Sequence, residues 1–93
     1  IMSETKFVKT LNRPEAKYRY WHIKKEDRDF FPEAHEIFKL KFEDKEYEMK
    51  VNHKDDIMTG QLYNVCKFPE GTTINVEKKR TKYVLTAKGT QSW

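Results

Sequence analysis

The chain has 93 residues, a mass of 11.3 kDa and a formal net charge of +4, with 19 Lys and Arg against 15 Asp and Glu. This length supports a single domain over residues 1–93, whose core we place between about residue 6 and residue 88. Hydrophobic and charged residues each make up 37% of the sequence, so the core must be small and the surface strongly ionised. The aromatic fraction of 14% argues against a disordered chain.

The cysteine count and the hydropathy argue against a disulfide-stabilised or cysteine-zinc protein and against a membrane-spanning protein. The single cysteine, Cys66, allows neither an internal disulfide nor a zinc site built from cysteines, which favours a cytoplasmic or nuclear location. Because the sequence contains no apolar run as long as a membrane span, we expect no membrane partner. Ile1 before Met2 suggests a tag remnant or a fragment excised from a larger protein.

Alternation of apolar and polar residues predicts strands along most of the chain. Short strands are predicted at residues 7–11 and 20–23, and hairpins at residues 37–51 and 73–86, the second with a basic turn at residues 78–82. Short helices are predicted at residues 25–30 and 60–67, with Thr59 as the N-cap of the second. The pattern indicates a mainly β domain with two short helices, arranged as a barrel or a sandwich.

Two polar segments could carry a binding function. Residues 13–21 interleave Arg and Lys with aromatic residues, and Lys24 and Lys25 follow shortly after. Lys and Arg neutralise phosphates, while Arg and Asn also address base edges. Residues 52–56 form a connector of donors and acceptors. Taken singly, the first segment also fits a solvated strand edge and the second an ordinary loop.

Catalytic and metal-binding signals are weaker. Two E-x-K triplets, Glu48-Met49-Lys50 and Glu77-Lys78-Lys79, fit a metal-dependent nuclease, in which an upstream Asp completes the site. Asp55 or Asp56 lies upstream of the second triplet. Alternating charge on the solvent-exposed face of a strand explains these triplets more simply. His22, His35 and His53 lack the spacing of a metal site. We expect Cys66 to be a small core residue rather than a nucleophile.

Taken in order, these segments resemble the plant-type B-three DNA-binding domain and its relatives in restriction endonucleases, the DNA-binding pseudobarrels. The shared order is a strand, a basic arm, a strand, a short helix closing on Phe31-Pro32, a hairpin, a polar arm, a short helix and a last hairpin. The resemblance covers nearly the whole chain and implies an open seven-stranded β-barrel. Lys24 and Thr72 depart from it, because the family often has Pro at the first position and Asp at the second.

The resemblance also implies a site, since the family inserts two arms into the major groove of DNA. The first arm corresponds to residues 12–19 and the second arm to residues 52–56. Arg13, Lys17 and Arg19 are then candidates for guanine edges or phosphates, and Asn52 and Asp55 for adenine and cytosine. Lys24 and Lys25, at the root of the first arm, would hold phosphates. The full set of predicted DNA-binding residues is Asn12, Arg13, Lys17, Tyr18, Arg19, Lys24, Lys25, Asn52, His53, Lys54 and Asp55.

The implied function is sequence-specific binding of double-stranded DNA by the recognition module of a restriction endonuclease. Such a module has no catalytic residue, metal or cofactor of its own, and its partner is the catalytic or motor domain of the same parent chain, in the bacterial cytoplasm. A nuclear transcription factor would use the same arms. Alternatives from other classes are the small metal-dependent nuclease and a binder of single strands or RNA that stacks bases on Tyr18, Tyr20 and Trp21.

Overall fold

The computed structural model describes residues 6–80 and 82–93, so Ile1, Met2 and Thr81 of the predictions above lie outside the described residues. The strands in this part of the chain are β1 (Lys6–Thr10), β2 (Tyr20–His22), β3 (Phe38–Phe42), β4 (Lys45–Met49), β5 (Asp56–Met58), β6 (Thr73–Lys79) and β7 (Lys82–Lys88). The helical segments are α1 (Arg13–Tyr18) and two 3-10 helices (Lys25–Phe30 and Gly60–Asn64). No helix among the described residues has the length and apolar character needed to cross a membrane.

The strands form two sheets of unequal size. Five strands pair in the order β1-β6-β7-β3-β4, and β2 pairs with β5 in a separate two-stranded ribbon. Neighbouring strands are antiparallel except β3 and β7, which run parallel. The prediction of a mainly β chain with seven strands and short helices is therefore confirmed. Within the described residues, the hydrogen-bond pairing does not close the strands into a continuous barrel.

The buried apolar side chains of the described residues form one cluster that includes both sheets. In β3, buried Phe38, Leu40 and Phe42 alternate with exposed lysines, as expected for a strand with one face on the core. The ribbon contributes Trp21 and Ile57, which are paired across β2 and β5 and are both buried. The ribbon therefore packs one face into the core and leaves its outer face to solvent.

The first arm is mostly helical, whereas the sequence pattern predicts no helix in these residues. Asn12 is the N-cap of α1, Pro14 lies in its first turn, and Glu15 completes a capping box with Asn12. Proline is tolerated there because the first N–H groups of a helix have no partner inside the helix. The helix ends at Arg19, which adopts the left-handed conformation with φ 60°.

Several other boundaries differ from the prediction. Asp56, expected in the second arm, begins β5, and a strand of three residues is too short to show a period of two in the sequence. The second predicted helix ends early, at Asn64, and Thr59 makes no side-chain capping hydrogen bond. The turn between β6 and β7 is shorter than predicted, because both strands extend into the basic segment.

Candidate functional site

The ribbon holds the two predicted arms at its opposite ends. Tyr20 pairs with Met58 at one end, and His22 pairs with Asp56 at the other. The first arm leads into Tyr20, whereas the second arm ends at Asp56. Tyr20 and the partner of Asp56 are two residue steps apart. Because a strand advances about 3.3 Å per residue, the roots of the arms are roughly 7 Å apart along the ribbon.

Glu15 fixes the first arm to the ribbon. Its carboxylate is fully buried and accepts hydrogen bonds from the backbone N–H groups of Asn12 at 3.0 Å and His22 at 2.8 Å. Lys9 of β1 supplies the opposite charge, with Nζ 2.9 Å from Oε2 of Glu15. Asn12 in turn uses its side-chain oxygen to accept from the N–H of Glu15 at 3.0 Å. Glu15 is absent from the predicted site, although the Asn-x-x-Glu spacing is a capping-box signal that could have identified it.

The first arm presents all five of its predicted residues to solvent. The capping residue Asn12 is exposed, as are Arg13, Lys17, Tyr18 and Arg19. Lys17 Nζ lies 5.3 Å from the centre of the Tyr18 ring, and the guanidinium of Arg19 lies 4.7 Å from the centre of the Tyr63 ring. Both are cation–π contacts, which orient a cation without neutralising it. The DNA contacts of these residues stay predictions.

Tyr63 forms the support beneath Arg19. Its ring is buried, and its hydroxyl donates a hydrogen bond to the carbonyl of Phe68 at 3.0 Å. Burial raises the pKa of Tyr63 above the ordinary 10.0, and the positive charge of Arg19 lowers it by a smaller amount. The phenol therefore stays neutral at physiological pH and offers Arg19 an uncharged ring.

Asn52 organises the second arm. Its Oδ1 accepts hydrogen bonds from the backbone N–H groups of Lys54 at 2.8 Å and Asp56 at 3.1 Å. These two bonds occupy both lone pairs of the side-chain oxygen. Pairing with adenine needs both an acceptor and a donor. In this conformation, Asn52 offers a base only its NH₂ group.

An ion pair ties the second arm to the first 3-10 helix. Arg28 Nε lies 3.2 Å from Oδ1 of Asp55, whose side chain is 49% exposed. Arg28 also donates through Nη1 to the carbonyl oxygens of Phe31 at 3.3 Å and Pro32 at 2.7 Å. Asp55 itself has φ 61°, a conformation that is uncommon for residues other than glycine. The predicted contact of Asp55 with cytosine would therefore compete with a pairing inside the protein.

His53 and Lys54 form the exposed tip of the second arm. The imidazole of His53 faces that of His35, with ring centres 6.4 Å apart and 26° between the ring planes. Lys54 takes part in no ion pair within residues 6–80 and 82–93. Both side chains are accessible to a ligand.

Lys24 and Lys25 follow the end of β2, and both are exposed. The preceding residue, Ile23, donates its N–H to the carbonyl of Asp55 in the second arm at 2.7 Å. Lys24 also lines a groove with Lys9 and His22, two residues that contact the Glu15 carboxylate of the first arm. The role of Lys24 and Lys25 as phosphate contacts stays a prediction.

The outer face of the ribbon joins the arms and is missing from the predicted site. Tyr20 is half-buried, Met58 is 57% exposed, and His22 Nδ1 lies 2.7 Å from Oδ1 of Asp56. Alternation around the buried Trp21 could have identified Tyr20 and His22 as outward-facing. Met58 and Asp56, which pair with Tyr20 and His22, could be identified only once β5 was known.

The tyrosines and the tryptophan proposed for stacking single-stranded bases are not equivalent. Tyr18 is exposed and Tyr20 is half-buried, but only 2% of Trp21 is accessible. The expectation that Trp21 stacks on a base is wrong, because its ring lies on the face of the ribbon that packs into the core.

The E-x-K triplets lie on strands that are not neighbours. Glu48 is in β4 and Glu77 is in β6, and both β3 and β7 lie between these strands. Within the described residues, no three His, Cys, Asp or Glu side chains are grouped so that they could hold a metal ion. Cys66 is half-buried against the core, and burial raises the pKa of its thiol, as expected for a residue at the edge of the core.

Comparison with known proteins gives no match, either with a protein-family model, with a curated protein or with a solved structure. A function must therefore be inferred from the geometry and charge of the arms.

Proposed function

We propose that the chain binds double-stranded DNA in a sequence-specific manner, through two arms that enter the major groove, without a cofactor. In this proposal the sheet and the ribbon together form the open barrel of a DNA-binding pseudobarrel. The parent protein is a restriction endonuclease of the bacterial cytoplasm, whose catalytic or motor domain is the partner. A nuclear transcription factor is the alternative parent, and it would use the same arms.

The observation that carries this proposal is which charged side chains of the two arms are in ion pairs and which are not. Each carboxylate of the arms is engaged inside the protein: Glu15 with Lys9, Asp55 with Arg28, and Asp56 with His22. The cations of the arms are in no ion pair within the described residues, namely Arg13, Lys17, Arg19 and Lys54. In the adjoining segment, Lys24 and Lys25 are also outside any such pair, but so are Glu26, Asp27 and Asp29. The surplus of positive charge therefore lies on the arms themselves, and such a surplus favours phosphate binding.

The spacing of the arms supports a duplex rather than a single strand. The arm roots lie roughly 7 Å apart along the ribbon, so both can fit within the major groove of B-form DNA, which is about 12 Å wide. One arm carries a short helix and the other a tight loop, so two different shapes could read neighbouring base pairs. The burial of Trp21 also removes the central aromatic residue of the single-strand alternative.

Selection from a random duplex library tests the proposal directly. We expect a consensus site to be recovered, and fluorescence anisotropy to give tighter binding to that site than to a scrambled duplex. A failure to enrich any duplex would contradict the proposal. So would a single-stranded oligonucleotide that competes as well as the selected duplex.

Two variants then separate base reading from phosphate binding. We expect Arg13→Ala to cost about 1–3 kcal/mol on the selected site and less on the scrambled duplex, because an exposed guanidinium can bind guanine through two hydrogen bonds. Lys25→Ala, the matched control, should weaken binding to both duplexes equally. If Arg13→Ala weakens binding to the selected site and to the scrambled duplex equally, as Lys25→Ala should, the role of Arg13 in base reading is overturned.

A further inference from the structure

A groove of about 220 Å³ lies beside the first arm, between α1 and the segment that ends at Trp93. We call it the tryptophan groove and define it by Lys17, Arg19, Tyr63, Lys67 and Trp93, which all line it. Two of these residues belong to the first arm, so the groove continues the surface that the arm presents.

The tryptophan groove has a fixed wall. Lys67 and Gln91 form a bridge of two backbone hydrogen bonds, with N–H to carbonyl oxygen distances of 2.7 and 3.1 Å. The indole Nε1 of Trp93 donates to the carbonyl of Tyr63 at 2.6 Å. These three bonds hold the Trp93 ring in place although 66% of the residue is exposed. A large aromatic side chain that is both held and exposed is typical of a contact surface.

The cations of the groove are positioned by aromatic rings rather than by carboxylates. Lys67 Nζ lies 5.1 Å from the centre of the Trp93 ring, next to the contact of Arg19 with Tyr63. No Asp or Glu lines the groove. Within the described residues, Lys17, Arg19 and Lys67 form no ion pair. Three positive charges therefore converge on one concave site without an internal partner.

We propose that the tryptophan groove binds the phosphate backbone of the DNA duplex beyond the bases that the arms contact. The inference rests on the proposed function, and it adds Lys67 and Trp93 to the interface. A phosphodiester supplies the negative charge that the groove lacks. The cation–π contacts with the aromatic rings leave the N–H groups of Lys17, Arg19 and Lys67 free to bind the phosphate oxygens. The contact is independent of sequence and fixes the register of the first arm on the duplex.

The salt dependence of binding tests this contact. The logarithm of the association constant falls with the logarithm of salt concentration, with a slope of about −0.9 per phosphate contact. We expect Lys67→Gln to make the slope less negative by about 0.9 and to weaken binding to all duplexes alike. The matched control is Lys39→Gln, which removes an exposed charge from β3, on the side of the sheet turned away from the core.

The two tryptophans provide a second measurement. Trp93 is largely exposed and Trp21 is buried, so their indole N–H signals in a two-dimensional NMR spectrum report the groove and the core separately. On addition of duplex, we expect the Trp93 signal to shift and the Trp21 signal to stay nearly unchanged. Unchanged Trp21 chemical shifts in Lys67→Gln show that this variant remains folded.

The outcomes distinguish the groove from the arms. If the unaltered protein binds duplex but Lys67→Gln leaves the slope unchanged, the groove is overturned and the arms stand. The groove is also overturned if Lys39→Gln changes the slope as much as Lys67→Gln does. If the unaltered protein does not bind duplex at all, the proposed function fails together with the groove.

Discussion

The first arm and the second arm leave the same ribbon, but they are anchored by different kinds of interaction. The first arm is held by the fully buried carboxylate of Glu15, which satisfies two backbone N–H groups and the charge of Lys9. The second arm is held by Asn52 and by an ion pair in which the Asp55 side chain is 49% exposed. Because water can replace an exposed interaction but not a buried one, the first arm should be the more rigid of the two.

Under the proposed function, this difference predicts different roles for the two arms on DNA. A helix fixed by a buried anchor presents Arg13 and Lys17 at constant positions, which favours a contact that requires defined geometry. A loop fixed by exposed bonds can adjust its tip, where His53 and Lys54 lie. We therefore expect the first arm to set the position of the domain on the duplex and the second arm to adapt to it.

The largest effect should come from the buried anchor. We expect Glu15→Ala to lower the free energy of unfolding by about 3 kcal/mol, because Lys9 loses its partner in a largely buried position and two N–H groups lose their acceptor. Urea denaturation followed by circular dichroism measures the change.

The matched control in the second arm is Asp55→Ala. This variant should cost at most about 1 kcal/mol, since an ion pair with a half-exposed member contributes little. Equal costs for Glu15→Ala and Asp55→Ala would show that the two anchors do not differ as their burial indicates.

An intermediate effect is expected from the two asparagines that cap the arms. Asn12→Ala and Asn52→Ala should each lower the free energy of unfolding by about 1 kcal/mol, because each removes the acceptor of backbone N–H groups. Serine should restore most of the stability at position 12, where one N–H must be satisfied, but less at position 52, where a single short hydroxyl must serve two. Thermal denaturation of the four variants makes this comparison, and equal restoration at both positions would contradict it.

The smallest effect concerns the contact of Arg19 with Tyr63. The pKa of Tyr63 in the folded state lies above 10.0, so its contribution to stability is present below pH 10.0 and lost as the pH rises through the folded-state pKa. Because the charge of Arg19 favours the phenolate, Arg19→Gln should raise the pKa of Tyr63 further. Titration of the Tyr63 ring carbon signal by NMR measures the shift, and a fall in the pKa would disprove the contact.

Local pattern in the sequence was sufficient to predict the strands of the larger sheet, though not their order. The alternation of Phe38, Leu40 and Phe42 with lysines specifies a strand and its buried face, because side chains on a strand point alternately to its two faces. The first 3-10 helix, Lys25–Phe30, has the predicted boundaries. The capping box at Asn12 and Glu15 was readable as well, since its spacing is fixed by the geometry of the first helical turn.

Only the tertiary structure decided what these elements bring together. Glu15 meets Lys9, and Trp93 meets Tyr63, across separations in sequence for which no local pattern exists. The pairing of β2 with β5 likewise brings Ile23, which directly precedes Lys24 and Lys25, into a hydrogen bond with the second arm. Sequence alone determined the mainly β class and the segments rich in charge, because period and composition are local properties. Which charges are neutralised inside the protein and which remain for a ligand depends on contacts between distant residues, and only the fold specifies those.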